Sequence, residues 1–340
     1  MKRLLLFIAV LFMAFKSIGD WKLSVPKGFP RPEQKTELNK NQIELGRMLF
    51  YDPALSANNM VSCASCHSPY NAFAHTDHAL SHGIDDRIGK RNAPALMNLA
   101  WRKDFMWDGA FRSLEEQVAF PIDHPDEMGS SIDSMHLKLQ PSIYGHYFAA
   151  AYGDPKITPS RISHSISSFL LTLVSSQSKY DAVQQGKAHF TDQEQKGYTV
   201  FKNNCNTCHQ EPLFTTSGFA KNGLPLDTNL KDFGRLIITK LSTDSLRFRI
   251  PTLRNIEHTY PYMHDGRFKS LWQVIDHYNQ ASDLSGVKGN SVDKIQLNVN
   301  EKVDLMAFLL TLTDKEFLFN PAHAYPKSNF EKQLTNINDH

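Results

Sequence analysis

Residues 63–67 read Cys63-Ala64-Ser65-Cys66-His67, and residues 205–209 repeat the pattern as Cys205-Asn206-Thr207-Cys208-His209. Together they use all four cysteines of the 340-residue chain. Two disulfides would satisfy the thiols but leave no reason for a histidine to follow each second cysteine. A zinc site built from both Cys-x-x-Cys pairs leaves the histidines equally unexplained. A thioredoxin-type redox pair needs one motif in a βαβ setting, which neither copy has. Covalent attachment of a c-type haem accounts for every position: both thiols add to the vinyl groups, and the adjacent imidazole ligates the iron. The sequence therefore predicts two covalent c-type haems. Cys63, Cys66 and His67 hold the first, and Cys205, Cys208 and His209 the second.

The chain opens MKRLLLFIAVLFMAFKSIGD, with a basic start, an apolar run from Leu4 to Phe15, and small residues at Ser17 and Gly19. The run has about a dozen apolar residues, whereas a spanning helix needs about 20. It reads as a cleavable signal peptide over 1–19, with export to the periplasm and no stable membrane span. Cleavage after Gly19 removes Lys2, Arg3 and Lys16, taking the formal charge from +2 to −1. Without a basic arm or cluster, nothing points to nucleic acid.

Helical periodicity dominates outside the motifs. In NQIELGRMLF, Ile43, Leu45, Met48 and Leu49 share a face; in TDQEQKGYTVF, Thr191 and Glu194 have capping-box spacing. NEKVDLMAFLLTL begins at Asn300, read as an N-cap. RISHSISSFLLTLVS, SLEEQ from Ser113 and SLWQVIDHY from Ser270 also read as helices, and long β alternation is absent. The fold class is mainly α: two cytochrome c-like helical domains, each with one covalent haem. A boundary near Gly186 gives an N-terminal haem domain over 20–185 and a C-terminal one over 186–320. A tail over 321–340 is expected to pack back on the N-terminal domain.

The ordered motifs LGRMLFYDPALS, CASCH, GKRNAP, FMWDGAFRSLEEQ, PIDHPDEMG, CNTCH, RIPTLRN, TYPYMHDGRF and HYN run from Leu45 to Asn279. Over about Leu45 to Leu312 the chain resembles the bacterial di-haem cytochrome c peroxidases and their relatives typified by the MauG protein of methylamine utilisation. The resemblance implies an enzyme that reduces hydrogen peroxide at one haem while the other relays electrons.

By the same resemblance, the first haem is peroxidatic. Glu127, which alone would read as a loop carboxylate, matches the family's acid/base glutamate, and Gln117 and Pro121 match its distal neighbours. Splitting the O–O bond requires a proton at the departing oxygen, which is the work of such a group. Many peroxidases of the family also place a histidine on this iron before the GKRNAP-type segment. Here Ile84 stands near that slot, with His75, His78 and His82 close by and His82 the best substitute. Trp107 matches the tryptophan that relays electrons between the haems. Asn92, with the carbonyls of Thr259 and Pro261, matches a calcium site of hard oxygen ligands.

At the second haem many members carry a methionine fourteen residues after the histidine of the PYFH-type motif. Counting fourteen on from His264 reaches Tyr278, and the MauG branch has an axial tyrosine there. Met263 is the competing candidate. Three functions follow. The first is a periplasmic peroxidase drawing electrons from a small cytochrome c or copper protein; the second is a MauG-like oxidase acting on a partner protein through high-valent iron; the third is a non-catalytic di-haem carrier. Glu127 argues against the carrier, and Tyr278 favours the oxidase. Peroxidase is the first reading because it is the commoner family activity and needs no dedicated protein substrate. Members often dimerise, so a homodimer is also considered.

Overall fold

The structure is a computed structural model that describes residues 20–35, 37–139, 141–280 and 295–330. The expected signal peptide and the end of the tail, 331–340, lie outside them. The helices are, in order, α1 (Lys40–Tyr51), α2 (Cys63–Cys66), α3 (Leu114–Asp123), α4 (Met135–Lys138), α5 (Pro141–Tyr152), α6 (Pro159–Leu171), α7 (Lys179–Gln184), α8 (Asp192–Asn204), α9 (Leu236–Thr239), α10 (Leu271–Gln280), α11 (Val299–Leu310) and α12 (Lys315–Leu318). The strands are two short antiparallel pairs. β1 (Asp20–Lys22) lies on β2 (Glu37–Asn39) with Trp21 opposite Leu38, and β3 (Phe219–Ala220) lies on β4 (Phe248–Arg249) with Ala220 opposite Phe248. Among the described residues no helix is long and apolar enough to cross a membrane.

Each half is built on one tight helix crossing. Asn39 starts α1 by accepting the amides of Asn41 and Gln42, which fills two donors that a helix N-terminus leaves open. Its buried face, Leu45, Met48 and Leu49, meets Ile162, Ile166 and Phe169 of α6. At the crossing, a Cβ on Gly46 would lie 1.8 Å from the Ser165 carbonyl oxygen, so a larger residue would force the helices apart. The second half repeats the device. The Thr191–Glu194 capping box starts α8, and a Cβ on Gly197 would lie 1.9 Å from the Asp304 carbonyl of α11.

The start of α11 differs from the sequence reading. Asn298 is the N-cap, in a capping box with Glu301, and Asn300 sits inside the first turn. Glu301 is three residues beyond Asn298, the spacing a capping box requires; Asn300 has no such partner. The sequence reading also passed over α5 and α7.

Two hydrophobic cores result. The first gathers α1, α3 and α6 around Phe50, Phe73, Ile122, Phe169 and Leu173; the second gathers Phe201, Phe214, Ile275, Leu305 and Phe308. Fully burying one such side chain contributes about 1.5–3 kcal/mol. Tyr180, ahead of Gly186 in the chain, already belongs to the second core, while Phe317 and Leu318 of α12 pack into the first. The chain thus returns to its first half after completing the second.

A buried polar latch fixes the return. Asp314 accepts the amides of Ser176 at 2.8 Å and Gln177 at 2.9 Å, and the Ser175 hydroxyl at 3.0 Å. Asn255 of the RIPTLRN motif accepts the Asp314 amide at 2.7 Å and donates to Ser175 at 3.0 Å. Beyond α12, the Tyr51 hydroxyl donates to the His323 carbonyl at 2.6 Å and Asn329 to Glu44 at 2.6 Å, which sets residues 323–329 against α1.

Candidate active site

Each Cys-x-x-Cys-His stretch makes one helical turn. His67 N–H donates to the Cys63 carbonyl at 3.0 Å, and His209 N–H to the Cys205 carbonyl at 2.9 Å. His67 Nδ1 then meets the Phe73 carbonyl at 2.7 Å. A carbonyl can only accept, so Nδ1 carries the proton and Nε2 keeps its lone pair for a metal. His209 Nδ1 is held likewise, by the carbonyls of Phe214 at 3.2 Å and Pro251 at 3.1 Å. Burial lowers both imidazoles to about 4, leaving them neutral, as a ligand must be. All four thiols are unbridged. A cavity of about 220 Å³ lies beside Cys205, Cys208 and His209, walled by Ile275, Leu305 and Leu309. Paired thiols and imidazoles fixed in the ligating tautomer at both anchors, with an apolar cavity beside the second, fit covalently attached haem.

On the His67 side, Pro121 lies in the last turn of α3, and Glu127 follows on a folded-back loop. Its amide donates to the His124 carbonyl at 3.1 Å, and its carbonyl accepts the Ile84 amide at 2.6 Å. Burial lifts the Glu127 carboxyl above the usual carboxylate range; His124 opposes this and Asp126 adds to it. Burial raises the thiols of Cys63 and Cys66, and the charge of Glu127 adds to it at both. Gln117 Nε2 reaches the Met106 sulfur at 3.8 Å, next to Trp107.

Ile84 is buried and packs on Gly129, where a Cβ would come within 3.1 Å of Ile84 Cγ2. His82 Nδ1 pairs with Asp86 at 2.7 Å, its ring stacks on His78 at 4.0 Å, and its carbonyl accepts the Cys66 thiol at 3.4 Å. His75 continues the row 5.4 Å from His78, with a buried Nδ1 that has no hydrogen-bond partner.

Trp107 joins the halves. Its indole N–H donates to the Asn92 carbonyl at 2.8 Å, its own carbonyl accepts the Arg249 amide at 2.7 Å, and the Arg249 guanidinium stands 5.6 Å from its ring. Arg91, beside Asn92, bonds Asp108 at 2.7 Å and Asp232 at 2.6 Å and 2.8 Å. Trp107, Asn92, Thr259, Pro261 and His209 line one cavity. Asn92 Nδ2 donates to the Ala79 carbonyl at 3.0 Å. The residues that the resemblance assigns to calcium, Asn92, Thr259 and Pro261, thus share one cavity lining.

Tyr278 and Met263 line that same cavity with Cys205, Cys208 and His209. Burial raises the Tyr278 hydroxyl well above its ordinary range, and the neighbouring thiols Cys208 and Cys205 raise it further. Asn222, which the sequence reading did not single out, lines the same cavity and donates to the Met263 sulfur at 3.3 Å. Its position in the chain carries no signal, because its neighbours come from α10 and from the loop before it.

The description "Di-haem cytochrome c peroxidase" applies to the family whose model matches residues 40–189. The chain is 34% identical over 305 residues to cytochrome c551 peroxidase of Nitrosomonas europaea, covering 86% of each. It is 32% identical over 327 residues to methylamine utilization protein MauG of Methylophilus methylotrophus, covering 92% of this chain and 95% of that one. Among solved structures, a MauG-like protein associated with microbial copper homeostasis superposes with a TM-score of 0.80 at 31% identity, covering 90% of this chain and 99% of the other. The fold and the two anchors define a di-haem c-type oxidoreductase. The chain belongs to the di-haem cytochrome c peroxidase and MauG family, and haem is its cofactor.

Proposed function

We propose that this chain is a MauG-type di-haem oxidase, which consumes hydrogen peroxide on the His67 side and withdraws electrons from a partner protein through the His209 side. One observation carries the reading: Tyr278 has its hydroxyl buried in the cavity of His209, Cys205 and Cys208, where many peroxidases of the family carry methionine. An anionic oxygen ligand favours ferric and higher oxidation states, whereas a thioether favours ferrous iron. Tyr278 therefore suits a site that stores oxidising equivalents. When bound, the haems supply the iron chemistry that accepts those equivalents from peroxide.

The side chains do the remaining work. Glu127, kept able to hold a proton by its burial, moves that proton to the departing peroxide oxygen. Gln117 and Pro121 shape the space it faces. Ile84, unable to bind iron, leaves the approach to the His67 side without a protein ligand. Trp107 carries charge between the halves, and Asn92 with the carbonyls of Thr259 and Pro261 holds a calcium ion beside it. Export to the periplasm, the leader over 1–19, a division near Gly186, the tail over 321–340 and a homodimer belong to the same proposal.

The second reading is a peroxidase fed by a small cytochrome c or copper protein; Met263 in the same cavity favours it. The test mixes resting holoprotein with one equivalent of peroxide and no donor, then measures steady-state turnover with a reduced small cytochrome. The oxidase reading expects a persistent oxidised spectrum and slow turnover. Fast turnover with no persistent spectrum selects the peroxidase.

A further inference from the structure

Asn222 follows β3 on a loop of the second half, and three contacts fix its side chain and backbone. His277 Nε2 meets the Asn222 carbonyl at 2.6 Å, tying the loop to the helix that bears Tyr278. Asn222 Oδ1 accepts the Leu224 amide at 3.3 Å. Because a backbone N–H only donates, this contact sets the amide's orientation and turns Nδ2 the other way. Nδ2 then donates to the Met263 sulfur at 3.3 Å. Asn222, Met263 and Tyr278 line one cavity. Of the two side chains that compete for one ligand position, the methionine is thus held by this amide while the tyrosine shares its cavity.

We propose that Asn222 is a positioning residue that selects Tyr278 over Met263 as the distal ligand of the second haem, by holding the Met263 sulfur on its N–H. This rests on the reading of Tyr278 as ligand and adds the selector to it. A thioether is a weak acceptor on a flexible stem, so a modest restraint decides where it points. Met263 is also held at φ +77°, a region bulky residues rarely adopt, so its placement is imposed by its surroundings. The amide therefore restrains the methionine and leaves the ligand position to the tyrosine.

The test compares di-haem holoprotein with its Asn222→Leu variant, which loses both donors at similar volume. The readouts are the sulfur-to-iron charge-transfer band, the midpoint potential of the second haem and haem content by mass. Asn222→Leu should gain a sulfur band absent from the wild type and shift that potential upward, and adding Met263→Leu should abolish the band. Asn222→Asp, which keeps the Leu224 contact but presents an acceptor to the cavity, should shift the same way and serves if the leucine variant fails to fold. Wild-type ligand spectra and potential in a folded Asn222 variant overturn the selector alone. A sulfur band in the wild type, with no spectral change in Tyr278→Phe, overturns the tyrosine reading and the selector with it.

Discussion

The amide of Ile84 donates to the carbonyl of Glu127 at 2.6 Å. The residue that the resemblance sets near the family's iron-binding histidine is thus fastened to the one it sets at the acid/base glutamate. An isoleucine has no lone pair to offer a metal, and its side chain is buried against Gly129. The resting ferric protein should therefore show one high-spin and one low-spin haem and react with peroxide before any electron is supplied. Ile84→His should convert the high-spin signal to low-spin and suppress that reaction until the protein is reduced. An unchanged electron paramagnetic resonance spectrum in Ile84→His would remove this position from the distal side.

Glu127→Gln keeps the side-chain shape and the backbone bond to Ile84 but cannot deliver a proton. Peroxide consumption should fall by roughly 10²–10⁴-fold, the range for a positioned acid/base, while haem content and resting spectra stay as they are. Stopped-flow mixing with peroxide reads this directly, and a wild-type rate would exclude Glu127 from the proton transfer.

Trp107→Phe separates the two halves of the reaction. It removes the hydrogen bond to Asn92, at a stability cost of about 0.5–1.5 kcal/mol, and the indole proposed to carry charge. Reaction with peroxide at the first site should proceed at close to the wild-type rate, while oxidation of a donor through the second half slows at least tenfold. Equal slowing of both steps would point to a packing role.

On the proposed ligand assignment, Tyr278→Met exchanges an anionic oxygen for a thioether. The midpoint potential of the second haem should rise, and the oxidised spectrum formed with peroxide should decay faster, because the ligand that supports the oxidised states is gone. Spectroelectrochemical titration checks the first effect and time-resolved absorbance the second. An unchanged potential would assign the ligand elsewhere.

The buried pair Asp181–Arg254 anchors the second core, with contacts of 2.8 Å to each carboxylate oxygen. Burial alone would raise the Asp181 carboxyl, but the paired guanidinium and the Ser178 hydrogen bonds outweigh it and hold it below its ordinary value. A carboxylate depressed on folding stabilises above its unfolded pKa, about 3.9, and loses that contribution as pH falls through the folded value. Asp181→Asn should cost roughly 3–5 kcal/mol at pH 7, as breaking a buried pair does. The deficit should narrow below about pH 4, where the wild-type carboxylate also takes up its proton. Urea unfolding at the two pH values measures it, and a pH-independent deficit would contradict the linkage.

Local chemistry made much of this protein legible in its sequence. The two Cys-x-x-Cys-His turns need only consecutive residues to bring two thiols and an imidazole together, and the capping box at Thr191 is complete within four residues. The helical faces of α1, α6 and α8 follow from periodicity. Asn300 was read as a cap because it stands just ahead of the apolar run, whereas the reciprocal bonds with Glu301 belong to Asn298. Tertiary structure alone decided the rest. The meeting of Asn222 with Met263 spans 41 residues. The return of Asp314 to Ser176 spans 138, and the tie between Trp107 and Arg249 crosses from one half to the other. Such contacts leave no periodic trace, because each depends on where two independently folded segments are brought to rest, and a chain records only its own neighbours.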